Sequence, residues 1–300
     1  MTVHTILFIG LAIVAVILIV ALVRAIPRNR PVSPTPLQCG IGFITDFFDT
    51  LGIGSFAVTT SFFKLFKLVP DEQIPGTLNV GHAIPTVVEA LIYIGIIAVS
   101  PPTLLLLILA SIAGAWLGAG FVSRLPRRWV QIGMGSALVV AAALFIASNL
   151  KGSQFGLTGD ALGLSGTRLW IGVAVNFCLG ALMTIGIGLY APCMILVSLL
   201  GMDPKAAFPI MMGSCAFLMP IASLRFIRFD AVSMRAALGL TLGGIPGVLI
   251  AAYIVKSLPL VWVRWLVVVV VLYAAIAMLR SAAQRRSETA KTAEYSYEVD

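Results

Sequence analysis

Four ionisable side chains interrupt stretches of this chain that are otherwise apolar: Asp46, Asp49, His82 and Glu89. Such groups at membrane depth are costly, so a functional role is the first reading of each. Asp49 directly precedes Thr50-Leu51-Gly52-Ile53-Gly54. From there its carboxylate can cap a helix that starts after the glycines, or carry a proton. Glu89 follows His82 by two helical turns on one face, which permits a relay between them but no direct contact. An imidazole titrates near neutrality, which suits proton exchange. We therefore expect Asp49, Glu89 and His82 to be the coupling groups. Asp46 ranks third among the acids, because a solvated position near the membrane edge would also explain it.

The glycines carry a second chemistry. A Gly break exposes backbone N–H groups at the start of the following helix, where the macrodipole is positive. Oxyanions bind such ends without a charged side chain. Gly52 and Gly54 mark one break, with Thr50, Ser55 and Thr59 supplying hydroxyl donors around it. Gly186 and Gly188 mark another, preceded by Thr184. Asn79 and His82 follow the first break and Ser214 the second; all three face the break if the two broken segments pack against these helices, and Cys193, just after the second break, joins the expected substrate-binding residues as a thiol that could sense a sulfur substrate. Small and hydroxyl residues also permit close helix packing in lipid, and a buried thiol usually serves as a small packing group.

These residues need a frame, and the frame is written twice. Thr50-Leu51-Gly52-Ile53-Gly54 returns as Thr184-Ile185-Gly186-Ile187-Gly188, with Pro70 and Pro75 matched by Pro204 and Pro209 at the same offset. One residue of slippage later, Leu125-Pro126 matches Leu258-Pro259 and Trp129 matches Trp262. Asp49, His82 and Glu89 have no charged counterpart in the second copy.

The chain is 60% hydrophobic and only 11% charged. Residues 104–122 and 129–150 hold no ionisable side chain, and about 20 such residues span the hydrocarbon core as a helix. We expect an all-α polytopic membrane protein. Residues 1–36 form an N-terminal transmembrane helix and a Pro-rich linker, and 37–150 the first repeat. Residues 151–167 form a connecting loop, 168–280 the second repeat, and 281–300 a disordered polar tail. The stretch from Thr5 to Val23 lacks the basic start and the cleavage signature of a signal peptide. The net charge of +8 sits in short loops, the pattern of topology signals rather than of a nucleic-acid face. The four cysteines show no CxxC spacing, and no cofactor or metal motif is present.

Segments 37–66 and 168–200 are too long for a simple span and hold the Gly breaks; each either crosses once or returns as a hairpin. If both return, only Lys151, Arg168, Lys205, Lys256 and Arg264 of the 20 Lys and Arg fall on the outer side. If every segment crosses, the positive charge divides more evenly, so the positive-inside rule favours hairpins. Each copy then has one hairpin and three crossings. An odd number inverts one copy relative to the other, giving an inverted repeat with seven full crossings in total.

The lead from Gly42 through Asp46 and Asp49 to Gly54, with the Pro70…Pro75-Gly76 connection after it, resembles the TauE/SafE sulfite exporter family of membrane permeases. The second copy, Gly180 to Pro192, resembles that family's second Gly-rich turn, although the usual run of three or four glycines is reduced here to Gly-Ile-Gly. The resemblance covers nearly everything after the N-terminal helix. It implies transport of a small sulfur-containing anion, sulfite or an organosulfonate.

The expected function is therefore a secondary transporter in the inner (plasma) membrane, moving such an anion by alternating access under a proton or ion gradient. No P-loop exists to bind ATP. A passive anion channel is the alternative. An intramembrane enzyme is disfavoured, since HExxH, GxSxG and clustered His/Cys ligands are all lacking. The expected partners are the anion and the bilayer, with no nucleic acid; the oligomeric state is open, a homodimer included.

Overall fold

The computed structural model describes residues 2–26, 32–122, 127–151, 159–183 and 188–297. Eleven α-helices follow one another: α1 (Val3–Ala25), α2 (Pro36–Thr50), α3 (Ser55–Leu65), α4 (Ile74–Ile96), α5 (Pro101–Val122), α6 (Arg127–Lys151), α7 (Gly166–Met183), α8 (Tyr190–Leu199), α9 (Ala207–Arg228), α10 (Met234–Ser257) and α11 (Leu260–Tyr297). Among the described residues the only bridge pairing joins Ala161 to Met202. In lipid a backbone must satisfy itself, and helices do so within one segment. Six described helices are long and apolar enough to cross a membrane: α1, α4, α7, α9, α10 and α11. Shorter apolar stretches lie in α5 and α6. The chain is a multi-pass membrane protein. Helical backbone continues to Tyr297, through residues for which the sequence reading expects a disordered tail.

Segment 37–66 folds as a hairpin. Thr35 caps α2 through a reciprocal box with Gln38, and Pro36 occupies the first helical turn. At the far end the Gly52 N–H donates to Asp49 O (2.7 Å) and the Ile53 N–H to Phe48 O (3.1 Å). That bond pair, with Gly52 at φ 94°, is a Schellman stop. Gly54, at φ 89°, then starts α3. The first glycine ends one helix and the second begins the next; a side chain at either φ would be strained. The chain turns back, bringing Phe63 of α3 into one apolar cluster with Ile41 at the start of α2 and Leu78 of α4.

Helix α10 binds this hairpin to α4. Along α2, the positions of Gln38, Cys39, Phe43 and Asp46 meet Gly239, Gly243, Gly247 and Gly244 in turn, so α2 and α10 run parallel. Three of those glycines recur every fourth residue, the small-residue stripe that lets membrane helices approach closely. On α4, Thr77 Oγ1 accepts from the Ser233 N–H, and the Thr241 hydroxyl donates to Gly81 O. Gly81 O is the carbonyl that Pro85 deprives of its helical donor, and Thr241 replaces that donor.

The same contact between the copies recurs with their roles exchanged, α7 of the second copy packing on α5 of the first. Gly247 faces Phe43 O, and its repeat equivalent Gly114 faces Phe177 O, the oxygen of the residue equivalent to Phe43. Gly42 lies against Leu240 O, while the equivalent Asn176 donates to Leu107 O (2.6 Å). Two pairs of helices, α4 with α9 and α6 with α11, pack antiparallel. In α4 and α9, Tyr93 stacks on Phe208 while Thr86 reaches Met219. In α6 and α11, Gln131 bonds Ser281 and Gly135 packs on Leu279 and Ala275. Helix α1 lies across α9 and α4, burying Leu7, Leu11, Leu18 and Leu22.

Candidate functional site

The parallel course of α2 and α4, with α3 folded back beside them, brings the first copy's polar residues into one buried cluster. His82 Nδ1 donates to Asp46 Oδ1 (2.7 Å), with neither side chain exposed to solvent. His82 Nε2 lies 3.0 Å from Thr59 Oγ1 on α3. Asp46 is thus a core residue with a partner, not a solvated edge position. Its other oxygen, Oδ2, is buried without a hydrogen-bond partner. That oxygen points where a side chain on Gly244 would stand. The equivalent place in the second copy has Gly180 against Ser111. The glycine has moved to the opposite helix, which opens room for the Asp46 carboxylate in the first copy alone.

Asp49 closes the break. Its Oδ1 accepts the Ser55 N–H (2.6 Å), so the carboxylate sits at the N-terminal end of α3. The hydroxyl of Tyr190, first residue of α8, donates to Asp49 Oδ2 (3.4 Å) and also faces Glu89. Asp49 therefore joins the starts of both returning half-helices.

Thr50 joins α2 to α4. Its Oγ1 lies 2.7 Å from Asp46 O and 2.7 Å from Glu89 Oε1. One turn after Glu89, the Tyr93 hydroxyl donates to Thr50 O (3.0 Å), a carbonyl that the end of α2 leaves without a helical partner. Tyr93 also lines a cavity of about 210 Å³ with Asp203 and Lys205 on its wall. Glu89 and His82 are linked not along their own helix but across α2, through Thr50 and Asp46.

Of the residues expected from sequence, Asp46, Asp49, Thr50, Ser55, Thr59, His82 and Glu89 are brought together. Gly52 lies beside Met194 and Met211, and Gly54 is the residue before α3. Asn79 Nδ2 donates to Pro75 O and Ser214 Oγ to Ile210 O, each one turn back on its own helix. Cys193 is buried on α8 and Gly188 is exposed just before that helix. Thr184 and Gly186 lie outside the described residues. Tyr93, Tyr190 and Gly244 complete the cluster and escape sequence reasoning. An aromatic residue in an apolar run reads as packing until its hydroxyl has a visible partner. Among the described residues, no group of three or more His, Cys, Asp or Glu is placed to hold a metal ion.

The family model described as "Sulfite exporter TauE/SafE" matches residues 2–145 and 169–297. The match starts at residue 2 and so takes in α1, which the resemblance read from the repeats leaves out. No curated protein and no solved structure matches the chain. A family match over nearly the whole length, on an all-helical multi-pass frame, settles the kinship: this chain belongs to the TauE/SafE family of membrane transporters for sulfur anions.

Proposed function

We propose that the protein is a secondary transporter of the inner membrane, moving sulfite or a small organosulfonate by alternating access with proton coupling. The observation that carries this is Asp49 at the N-terminal end of α3. A helix start is a natural oxyanion site, and here a carboxylate of the chain already occupies it. Substrate and Asp49 then compete for one place. Protonating Asp49 removes the competing charge and releases the Ser55 N–H to the incoming anion. A proton and an anion that load together are the elements of coupled transport. Thr50, Ser55, Thr59 and His82 serve the anion from the first copy, and the segment of Thr184, Gly186 and Gly188 serves it from the second. Tyr93 belongs both to the cluster and to the wall of the 210 Å³ cavity.

In proteoliposomes, sulfite or sulfonate accumulation should follow an imposed pH gradient and saturate with counterflow. Asp49→Asn should reduce gradient-driven accumulation to the level of leak. Accumulation that survives this substitution defeats the proton role of Asp49. Flux without saturation or counterflow would mark a channel instead.

The antiparallel course of the equivalent pairs α4/α9 and α6/α11 supports an inverted repeat with its pseudo-two-fold axis in the membrane plane, seven crossings and two returning hairpins. Cysteines placed at Lys67 and Lys205 should then react with impermeant thiol reagents from opposite faces of the membrane. Labelling of both from the same face would rule this arrangement out.

A further inference from the structure

Proton counting at Thr50 says more than proximity does. A threonine hydroxyl has one hydrogen to give. Its oxygen lies 2.7 Å from two oxygens at once, the Asp46 carbonyl and Glu89 Oε1. A carbonyl can only accept, and back-bonding to the carbonyl one turn earlier is the ordinary habit of a helical threonine. With that hydrogen spent on Asp46 O, an ionised Glu89 would press an anionic oxygen against the lone pairs of Thr50. A carboxylic acid donates its own hydrogen there and turns the contact into a bond. The rest of the site agrees. Glu89 Oε2 has no partner, and a charged oxygen would leave that burial uncompensated. The titratable groups within electrostatic reach of Glu89 are the acids Asp46 and Asp49 from α2, Tyr190 from α8 and Cys215 from α9, with Tyr93 on its own helix. None of these is a cation. His82, the one basic side chain of the cluster, is turned toward Asp46 and Thr59.

We propose that Glu89 is the resting store of the coupling proton, held as a carboxylic acid by Thr50, and that Tyr190 relays this proton to Asp49. The relay rests on the transport reading above and assigns its proton a source and a path. The Glu89 O–H first turns from the Thr50 oxygen to the Tyr190 oxygen; that bond then breaks as its proton passes to Tyr190, while the Tyr190 O–H proton passes to Asp49 Oδ2. Tyrosine ends neutral, Glu89 ends as a carboxylate, and Asp49 ends as an acid that releases the Ser55 N–H. The Thr50 hydroxyl can rotate from Asp46 O to the new Glu89 carboxylate. The relay residue comes from the second copy and both carboxyls from the first, so the relative position of the copies sets whether the proton can move.

Infrared spectroscopy of the purified protein in lipid, without substrate, tests the store directly. A buried carboxylic acid C=O band, sensitive to H/D exchange, should be present and should vanish in Glu89→Gln. Thr50→Val should keep the band and shift it toward the position of an acid lacking a hydrogen-bond partner. No such band in the unaltered protein, or its persistence in Glu89→Gln, overturns the assignment. Tyr190→Phe keeps the ring and should keep the acid band, yet lower gradient-driven flux about a hundred-fold, the low end for a positioned proton-transfer group. Unchanged flux in Tyr190→Phe overturns the relay. Absence of gradient-driven flux in the unaltered protein defeats the transport reading and the relay with it, while the infrared band still decides Glu89.

Discussion

His82→Ala should destabilise the protein by about 3–5 kcal/mol, the range for removing one partner of a buried pair. The imidazole is the partner of Asp46 Oδ1, and Asp46 Oδ2 already has none. Removing the ring leaves a whole carboxylate in the core, faced by Gly244 and Pro85, which offer no donor to it. It also strands the Thr59 hydroxyl on α3. The penalty belongs mainly to the abandoned charge, so the double variant His82→Ala/Asp46→Asn should recover most of the loss. Unfolding midpoints of the purified proteins in one detergent measure this. Were the double variant no more stable than His82→Ala alone, the pair would not be what holds α2, α3 and α4 together.

That pair shows where sequence reasoning stops. Asp49, Thr50 and the two glycines are contiguous, so their roles follow from local rules: a Schellman stop, a helix start and a capping carboxylate. The hairpin is legible too, because returning segments leave positive charge on one side. His82 and Glu89 share a helix face, and spacing alone suggests that they serve each other. In the fold each instead turns to α2, because the hairpin lays α2 parallel to α4 and sets Asp46 beside His82 and Thr50 beside Glu89. Sequence gives the face of a helix but not which neighbour stands against it. Tyr190 is harder still: it reaches Asp49 from the other copy, and no pattern within α8 announces that meeting. Asn79 and Ser214 are legible only in part. Small polar residues near a break invite a binding role, but each answers a carbonyl of its own helix first.

A matched pair of substitutions should separate the shared frame from the unshared chemistry. Gly247→Ala places a methyl against Phe43 O, and Gly114→Ala places one against Phe177 O. In both cases the obstacle is backbone, which cannot swing aside as a side chain can, so the helices must part. Each substitution should destabilise by about 1–3 kcal/mol, and by similar amounts, because the two are the same contact between the copies with their roles exchanged. Their effects on coupling should differ. Gly247→Ala pushes on α2, which carries Asp46, Asp49 and Thr50, and should weaken the response of flux to a pH gradient. Gly114→Ala pushes on α7, which carries the uncharged equivalents Gly180 and Met183, and should slow flux without changing that response. Proteoliposome flux measured with and without a gradient, beside thermal unfolding of both variants, gives the comparison. If Gly114→Ala alters the pH response as much as Gly247→Ala does, coupling belongs to both copies. The asymmetry of Asp49, His82 and Glu89 would then lose its meaning. If only Gly247→Ala alters it, the duplication supplies a frame on which one copy alone keeps the proton.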